Sequence, residues 1–332
     1  MIGHIYSDRI FRVANAGTSS TERRQLSGIS QGCPLSPFLF VMLMIVVMED
    51  AFRSLGAGAK TCVERGLLGT LLYADDTLLI GSSGTRVQEL LKAVSSVGSR
   101  YGMQMHWSKF QLLAINGEYK LTAPDGSMIA AREVMTYLGA AIFSDGGIKS
   151  ELSRKLGASW AEFTKLARVW KHTSLTVSRK IEIFQTVVVN RLLYGLSSAW
   201  LNKNDVRRLK GFGCRCLREV LRIKPAFVSR VSNESVLKEA QQVPLDKQLL
   251  KQQLLLYGKV ARLPASSPLR KVTFWNGLSP ANAQYRRRIG RPRNEWASML
   301  HRHATLVSPR FEQLIYSKIE WRRAVHIYST NE

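Results

Sequence analysis

Two adjacent carboxylates stand where two apolar segments of this chain meet. The residues Tyr73-Ala74-Asp75-Asp76 follow the apolar run 67–72 and precede a second one, 77–80. Both flanks are short, apolar and partly β-branched, which is typical of strands. A hairpin of this kind places Asp75 and Asp76 at its tip. Carboxylates beside a buried strand are costly unless they are paired or bind a cation, and Mg²⁺ is held by one or two carboxylates plus substrate phosphates. The pattern therefore predicts nucleotidyl transfer with Mg²⁺ (or Mn²⁺).

A simpler interpretation of the same four residues stays open. Asp favours turns, so Asp-Asp is also compatible with an exposed turn that has no ligand. The elements around the tip have to decide between the two.

Helices and strands of the first 145 residues surround this tip. Ser36 and Pro37 predict an N-cap and a first helical turn, and the helix that follows runs to about Leu55. Its apolar stretch, Phe38 to Met48, has 11 residues, which is too short to span a bilayer, so we expect a buried helix. The segment 103–143 is expected to form strands.

A second helix is predicted after the hairpin. Residues 85–88 fit a capping box, and the positions that follow form one apolar face: Val87, Leu90, Leu91, Val94 and Val97. Pro124-Asp125-Gly126 predicts a turn between the later strands. These elements give a βαβαβ-like order with a mixed or antiparallel sheet, and the fold class is α+β.

Beyond Gly147 the apolar residues recur at helical spacing from Ile148 to Trp170. Two further helices are expected at about 176–194 and 203–222. Lys224-Pro225 and the segment 263–268 predict boundaries.

The charge of the chain is strongly uneven. The formal net charge is +24, yet residues 1–148 hold 13 Lys/Arg against 12 Asp/Glu, whereas residues 149–332 hold 35 against 12. A near-neutral part joined to a cationic part suits a polyanionic partner such as nucleic acid. A merely soluble basic surface is the alternative.

The cysteines and the N-terminal residues bear on the compartment. The chain has 4 cysteines, too few for a disulfide framework, which favours a reducing compartment. No secretory signal is visible. We expect a nuclear or cytoplasmic protein that is neither secreted nor in a membrane.

Two pairs of possible zinc ligands lie two positions apart, Cys214 with Cys216 and His301 with His303. Residues two apart on a helix point in roughly opposite directions, and neither spacing matches a zinc finger. We therefore expect no zinc site.

A family resemblance rests on two motifs, Gln31-Gly32-Cys33-Pro34-Leu35-Ser36-Pro37 and Tyr73-Ala74-Asp75-Asp76. Together they resemble the palm of a reverse transcriptase of the non-LTR retrotransposon type. Further segments resemble this family in order: 101–109, a palm segment with a lysine; 136–146, a primer-grip hairpin; 192–195 and 215–218, a helical thumb; and 290–293, a basic tail.

The resemblance implies roles for individual residues. Asp75 would ligate the metal, and Asp76 beside it would be a second ligand or support the first. Lys109 would face the triphosphate as a catalytic residue, and an ordinary solvated lysine is the alternative. Many relatives carry Asn where this chain has His106. The residues implied in nucleotide and template binding are Gln31, Gly32 and Tyr73. Those of the primer grip are Tyr137, Leu138 and Gly139, which as a core strand have a purely structural alternative.

The resemblance also implies partners and a division of the chain. The partners are an RNA template, a DNA primer or target, and deoxynucleoside triphosphates; no oligomeric state is implied. The expected parts are a partial palm with primer grip at 1–145, a helical thumb at 146–225 and a basic helical nucleic-acid-binding region at 226–332.

Five arginines within residues 285–293 mark the basic region: Arg286, Arg287, Arg288, Arg291 and Arg293. Arginines around Gly-Arg-Pro are similar to minor-groove hooks. Non-specific phosphate contact is the favoured interpretation, and nuclear targeting is a third.

One part of the family pattern is not found. A two-metal polymerase needs another carboxylate from an earlier palm strand, and the only acids before Gln31 are Asp8 and Glu22, neither in that pattern. The expectation is an N-terminally truncated RNA-directed DNA polymerase without fingers and first catalytic Asp, inactive by itself. The alternative is an inactive remnant that binds RNA or DNA.

Overall fold

The structure is a computed structural model that describes residues 7–15, 17–26, 28–30, 32–115, 117–172, 174–280 and 295–331. Two compact units are present. The first comprises Met1–Leu112 and Gly117–Ala131, and the second comprises Leu113–Asn116 and Arg132–Glu332.

The first unit combines short hairpins with three helices. Its elements are β1 (Ile10–Phe11), β2 (Ala14–Asn15), β3 (Thr18–Ser19), β4 (Arg23–Arg24), α1 (Ser36–Ser54), α2 (Ala57–Glu64), β5 (Leu68–Tyr73), β6 (Asp76–Gly81) and α3 (Gly84–Arg100). Strand β1 pairs with β4, β2 with β3 and β5 with β6, all antiparallel. Two short strands, β7 (Leu112–Leu113) and β8 (Ala131–Arg132), follow.

Of the mixed or antiparallel sheet that is expected, the described residues show the antiparallel form. Every strand pair whose register is described is antiparallel, and each sheet has 2 strands. Strands joined by tight turns pair with their immediate neighbour, whereas parallel pairing needs a long crossover. The α+β class itself is confirmed, because helices and small antiparallel sheets coexist.

Helix α1 is buried on one side only. Val47, Met48 and Ala51 pack with Leu68 and with buried residues of α3. The opposite side exposes large apolar residues: Phe38, Val41, Met42, Ile45 and Val46. The expectation that 38–48 is a buried helix is therefore wrong. The described residues of the first unit cover only one side of the helix.

The helix starts are only partly as expected. Pro37 lies in the first turn of α1, but the N-cap is Leu35 and Ser36 is already helical. The Ser36 hydroxyl instead donates to the Ser30 carbonyl oxygen at 2.7 Å.

The capping box predicted at 85–88 is wrong, because Ser83 is the N-cap of α3 and no side chain caps it. Gln88 is engaged elsewhere: its amide donates to the Thr122 carbonyl at 2.9 Å and its oxygen accepts from the Thr122 amide at 2.7 Å. The apolar face of α3 is confirmed, with Leu90, Leu91, Val94 and Val97 buried.

The second unit begins with one hairpin and is otherwise helical. Its elements are β9 (Val134–Tyr137), β10 (Ala140–Phe143), α4 (Lys149–Lys165), α5 (Ala167–His172), α6 (Val177–Ile183), a π-helix (Phe184–Val189), α7 (Asn190–Leu193), α8 (Lys203–Leu221), α9 (Ala226–Ser229), α10 (Asn233–Glu239), α11 (Leu245–Ala261), α12 (Pro268–Thr273), α13 (Trp296–Val307), α14 (Phe311–Leu314) and α15 (Lys318–Asn331).

These elements confirm the helices predicted in this half, with one break. The helix expected from 148 to 170 is divided at Leu166, which ends α4. The helix expected at 176–194 is continuous through the π-helix, and that at 203–222 is α8.

Two apolar cores hold the second unit. One surrounds Trp170, Phe184 and Leu209, and the other surrounds Tyr257 and Trp321. The Trp321 indole donates to the Leu254 carbonyl at 2.9 Å. It lies so close to Gly258 that a Cβ at this position would overlap the indole nitrogen. Among the described residues, no helix is long and apolar enough to cross a membrane.

Candidate active site

The predicted carboxylate hairpin is formed by β5 and β6. Six residue pairs run from Leu68 opposite Gly81 to Tyr73 opposite Asp76, so Ala74 and Asp75 alone form the turn. Ala74 has a φ of 51°, a left-handed conformation that costs a non-glycine residue about 1 kcal/mol or more. The carboxylates therefore lie at the tip, as predicted.

The base of this hairpin is packed and its tip is not. Leu68 is buried in the core of the first unit, and Leu79 packs against two apolar clusters of that unit. Asp75 and Asp76 are exposed, and within the described part of the chain neither has an ion pair or a side-chain hydrogen bond. Both carboxylates are therefore available to a ligand.

Lys109 is held to the same hairpin through aromatic neighbours. It ends a 3₁₀ turn, Trp107–Lys109. The rings of Trp107 and Phe110 stack with centroids 4.8 Å apart, and both pack in the cluster that includes Leu79 of β6. The exposed Lys109 side chain thus belongs to a turn anchored on the strand that begins with Asp76.

The loop before α1 is partly described. Gln31 lies outside the described residues. Gly32 has a φ of +89°, and a Cβ there would meet open space. The left-handed conformation of Gly32 is what favours glycine at this position. Tyr73, the other residue implied in nucleotide binding, is exposed at the tip of β5.

The predicted primer-grip residues lie at the tip of another two-residue hairpin. Tyr137 of β9 pairs with Ala140 of β10, and the turn residues Leu138 and Gly139 have φ values of 48° and 77°. Positive φ at both positions is the geometry of a tight hairpin turn.

Two side chains hold this second tip in place. The Tyr194 hydroxyl donates to the Leu138 carbonyl at 2.9 Å, and the Arg154 guanidinium donates to the Gly139 carbonyl at 3.0 Å. Both carbonyls of the turn are therefore bonded to residues from elsewhere in the second unit.

A buried carboxylate lies behind Arg154. Glu151 bonds the Arg154 guanidinium at 2.7 and 2.8 Å and pairs with Lys155 at 3.4 Å. Burial alone would raise the pKa of Glu151, but the bond from Arg154, the Ala141 amide and the two cations outweigh it, and the pKa lies below its ordinary value. Burial lowers the pKa of Lys155. The Glu151 network fixes helix α4 against β10.

Comparisons with known proteins give two matches for this chain. Residues 2–142 match the family described as reverse transcriptase (RNA-dependent DNA polymerase). The chain is also similar to a retrovirus-related Pol polyprotein from a type-2 retrotransposable element of Drosophila melanogaster, with 23% identity over 193 residues. This alignment covers 54% of the chain and 17% of that relative. The resemblance to a non-LTR reverse transcriptase is confirmed.

The reverse-transcriptase match includes both hairpin tips. It ends at residue 142, beyond Asp76, Lys109 and Gly139. It also contains the described part of the loop before α1. Most of the second unit lies outside this match.

The chemistry of the carboxylate tip suits a hard divalent cation. Oxygen ligands from one or two carboxylates, completed by water and phosphate, are the usual environment of Mg²⁺. Among the described residues, no group of three or more His, Cys, Asp or Glu could hold a metal ion. Cys214 and Cys216 therefore belong to no such group. Both thiols are buried, and burial raises the pKa of each.

The residues that support the second tip have no signal in the sequence, and the predicted basic-region arginines lie outside the described residues. Tyr194 was assigned to a helical motif, but its bond to Leu138 spans 56 positions and has no sequence signal. Glu151 and Arg154 likewise appear only as helix residues. The basic-region arginines Arg286, Arg287, Arg288, Arg291 and Arg293 lie outside the described residues.

Proposed function

We propose that this chain is the catalytic part of an RNA-directed DNA polymerase, in which Asp75 and Asp76 bind divalent cations for template-dependent nucleotide addition. The observation that carries the proposal is the β5–β6 tip, where two adjacent carboxylates are exposed and unpaired among the described residues. When bound, two such cations would activate the primer hydroxyl and hold the triphosphate.

The other residues receive roles around this tip. Gln31, Gly32 and Tyr73 contact the incoming nucleotide and its template base. Lys109 faces the triphosphate and donates a proton to the departing pyrophosphate. Its anchoring beside β6 supports this assignment.

The second hairpin holds the primer. Tyr137, Leu138 and Gly139 contact the primer strand near its end, and their fixed turn supports a positioning role. The RNA template and DNA primer or target run along the cationic second unit, to which the five arginines of 286–293 contribute phosphate contacts. The three expected parts, 1–145, 146–225 and 226–332, belong to this proposal, as does a nuclear or cytoplasmic location.

A further carboxylate is needed for two cations. Asp8 lies 3.6 Å from Arg24, and Glu22 pairs with Arg12, so both acids that precede Gln31 are engaged elsewhere. No third acid joins the tip among the described residues. We therefore propose that these 332 residues do not synthesise DNA by themselves.

Metal binding tests the tip directly. In a protein labelled with ¹⁵N, Mn²⁺ with a deoxynucleoside triphosphate should broaden the amide signals of residues 74–77. Asp75→Asn should remove the broadening, because it removes one anionic ligand. Asp125→Asn, in another exposed turn, is the matched control and should leave it unchanged. Equal broadening in wild type and Asp75→Asn would contradict the metal site.

Primer extension tests the requirement for a further carboxylate. The chain is incubated with an RNA template, a DNA primer, triphosphates and Mg²⁺ or Mn²⁺. We expect no extension. Template-dependent synthesis that Asp75→Asn abolishes would show that the described acids suffice.

The alternative function is binding of RNA or DNA without catalysis. The excess of cations after residue 148 favours it equally well. It predicts affinity that falls steeply with salt and no effect of Mn²⁺ at residues 74–77. Deleting 286–293 should flatten the salt dependence, and a salt-independent interaction would contradict both functions.

A further inference from the structure

Residues 222–231, here called the α8–α10 loop, hold an exposed aromatic ring among cations. Phe227 in α9 is 77% exposed, more than any other aromatic side chain in the described part of the chain. Arg222, Lys224 and Arg230 are exposed in the same loop, and the loop contains no acidic residue. A single exposed apolar residue is ordinary. An aromatic ring enclosed in sequence by three cations is a feature of nucleic-acid-binding surfaces.

Both ends of the α8–α10 loop are anchored in the core. At the first end, the Ile223 amide donates to the Arg218 carbonyl at 2.8 Å, and at the other end Val231 packs against the same apolar core as Ile223. The buried Arg218 guanidinium donates to the Val231 carbonyl and to Asn233 Oδ1, both at 2.7 Å. The Arg218 side chain thereby joins the two ends of the loop.

The single turn of α9 carries Phe227 between these anchors. The amides of Val228 and Ser229 donate to the Pro225 carbonyl at 2.9 and 3.0 Å, and the Arg230 amide donates to Ala226 at 3.0 Å. Because the backbone of this turn is already ordered, the loop loses little conformational entropy when a ligand binds the Phe227 ring.

The cations of this loop are not neutralised by described residues. Lys224 and Arg230 make no ion pair in the described part of the chain, and Arg222 donates to the Lys171 carbonyl at 2.7 Å, which carries no charge. Two acids flank the loop in sequence, Glu219 and Glu234. Glu219 pairs with Lys171 at 3.8 Å, and Glu234, at an exposed position, makes no ion pair with a cation of the loop in the described part of the chain. A protein partner covering Phe227 would have to desolvate three cations, whereas a polyanion would be attracted to them.

We propose that Phe227 stacks on an unpaired base of single-stranded RNA or DNA, while Arg222, Lys224 and Arg230 contact the phosphates on either side. Base–aromatic stacking tolerates any sequence because every base has a π-face. The site lies outside the hairpins assigned to catalysis, and its function needs neither nucleotide addition nor Mg²⁺. It can therefore fail or succeed independently of the proposed polymerase.

The test compares bases with backbone. Binding of the full chain to a fluorescent single-stranded oligonucleotide is measured by anisotropy, without metal or triphosphates, and then with an abasic strand of equal length. Wild type should prefer the strand with bases. Phe227→Ala should weaken binding to it by about 5- to 100-fold and bind both strands alike. Phe227→Trp should keep the preference, since its ring can stack.

Two controls separate stacking from charge and from misfolding. Phe38→Ala, which removes another exposed phenylalanine but one without neighbouring cations in sequence, should leave affinity unchanged. Lys224→Gln should reduce the slope of log affinity against log salt by about 1, whereas Phe227→Ala should leave the slope unchanged. Equal affinity of wild type and Phe227→Ala for the strand with bases would overturn the proposal. The proposal would also be overturned if Phe227→Ala lost as much affinity for the abasic strand as for the strand with bases. It would likewise be overturned if Phe227→Ala changed only the self-association of the protein in sedimentation.

Discussion

The two long hairpins of this protein have turns of equal length that differ in backbone conformation and in how they are held, since Gly139 has a positive φ and Asp75 does not. The β5–β6 and β9–β10 hairpins both close with two residues, and each places a non-glycine residue, Ala74 or Leu138, at positive φ. The β5–β6 tip has no described side-chain bond. The β9–β10 tip is bonded through both carbonyls, to Tyr194 and Arg154.

The difference between an unbonded and a bonded tip agrees with the role proposed for each hairpin. A carboxylate tip that binds cations and a triphosphate must leave its oxygens open to solvent. A tip that positions a primer strand gains from being rigid, because a preorganised contact loses less entropy on binding. A two-residue turn is thus compatible with an open and with a fixed end.

The largest effect is expected from breaking the support of the fixed tip. Glu151→Gln leaves the Lys155 ammonium buried without its anionic partner, and such a loss costs about 3 kcal/mol. The free energy of unfolding should fall by this amount in chemical denaturation. Hydrogen exchange should accelerate in residues 134–143 and remain unchanged in 68–81.

The matched control is Glu182→Gln, which breaks an exposed pair with Arg179 at the same i,i+3 spacing. Exposed pairs contribute about 0–1 kcal/mol, so stability should scarcely change. A loss as large as that of Glu151→Gln would mean that burial of the pair is not what matters.

The pH dependence should follow the same group. Because the pKa of Glu151 is lower in the folded protein than its ordinary 4.5, its stabilisation is complete above that value. It is lost as the pH falls from there through the lowered folded-state pKa. Unfolding free energies measured from pH 7 downward should therefore drop below about pH 4.5, and the drop should be smaller in Glu151→Gln. Identical profiles would remove Glu151 from the explanation.

A smaller effect should follow from freeing the fixed tip itself. Tyr194→Phe removes the hydroxyl that bonds the Leu138 carbonyl, at a cost of about 1 kcal/mol. Amide exchange in 137–140 should become faster. Tyr73→Phe, at the other tip, has no described hydrogen bond to lose and should leave exchange in 72–77 unchanged. If both substitutions acted alike, the contrast between the tips would not hold.

The smallest effect should come from relaxing the turns. Ala74→Gly removes the strain of positive φ but increases the entropy of the unfolded chain. We therefore expect the free energy of unfolding to rise by about 0.5 kcal/mol. Leu138→Gly relieves the same strain while it removes a half-buried side chain and should give no gain. Differential scanning calorimetry of both variants compares them, and a stabilised Leu138→Gly would contradict this ranking.

Local patterns made much of the fold predictable. The carboxylate tip, the apolar face of α3 and helix α8 follow from periodicity and turn residues close in sequence. The Pro124-Asp125-Gly126 turn is also confirmed, with Gly126 at a φ of +85° and its amide donating to Ala123 at 3.0 Å.

The failures share a dependence on distant partners. Whether the apolar residues 38–48 are buried depends on which elements pack on α1, and the hydropathy of the segment does not predict those elements. Gln88 was expected to cap its own helix, and it bonds Thr122, which is 34 positions away. The hydrogen bond that fixes the second tip joins Tyr194 to Leu138, 56 positions away, so the residues next to either one in sequence do not predict it.

The contact between Gly258 and the Trp321 indole ties together two positions that are far apart in the chain. Since no side chain fits at 258 while tryptophan occupies 321, neither position can change freely by itself. In related sequences, we expect glycine at the first to accompany a large aromatic residue at the second, and any larger residue at the first to accompany a smaller one. We therefore expect position 321 of α15 to change in related sequences together with position 258, in the last turn of α11.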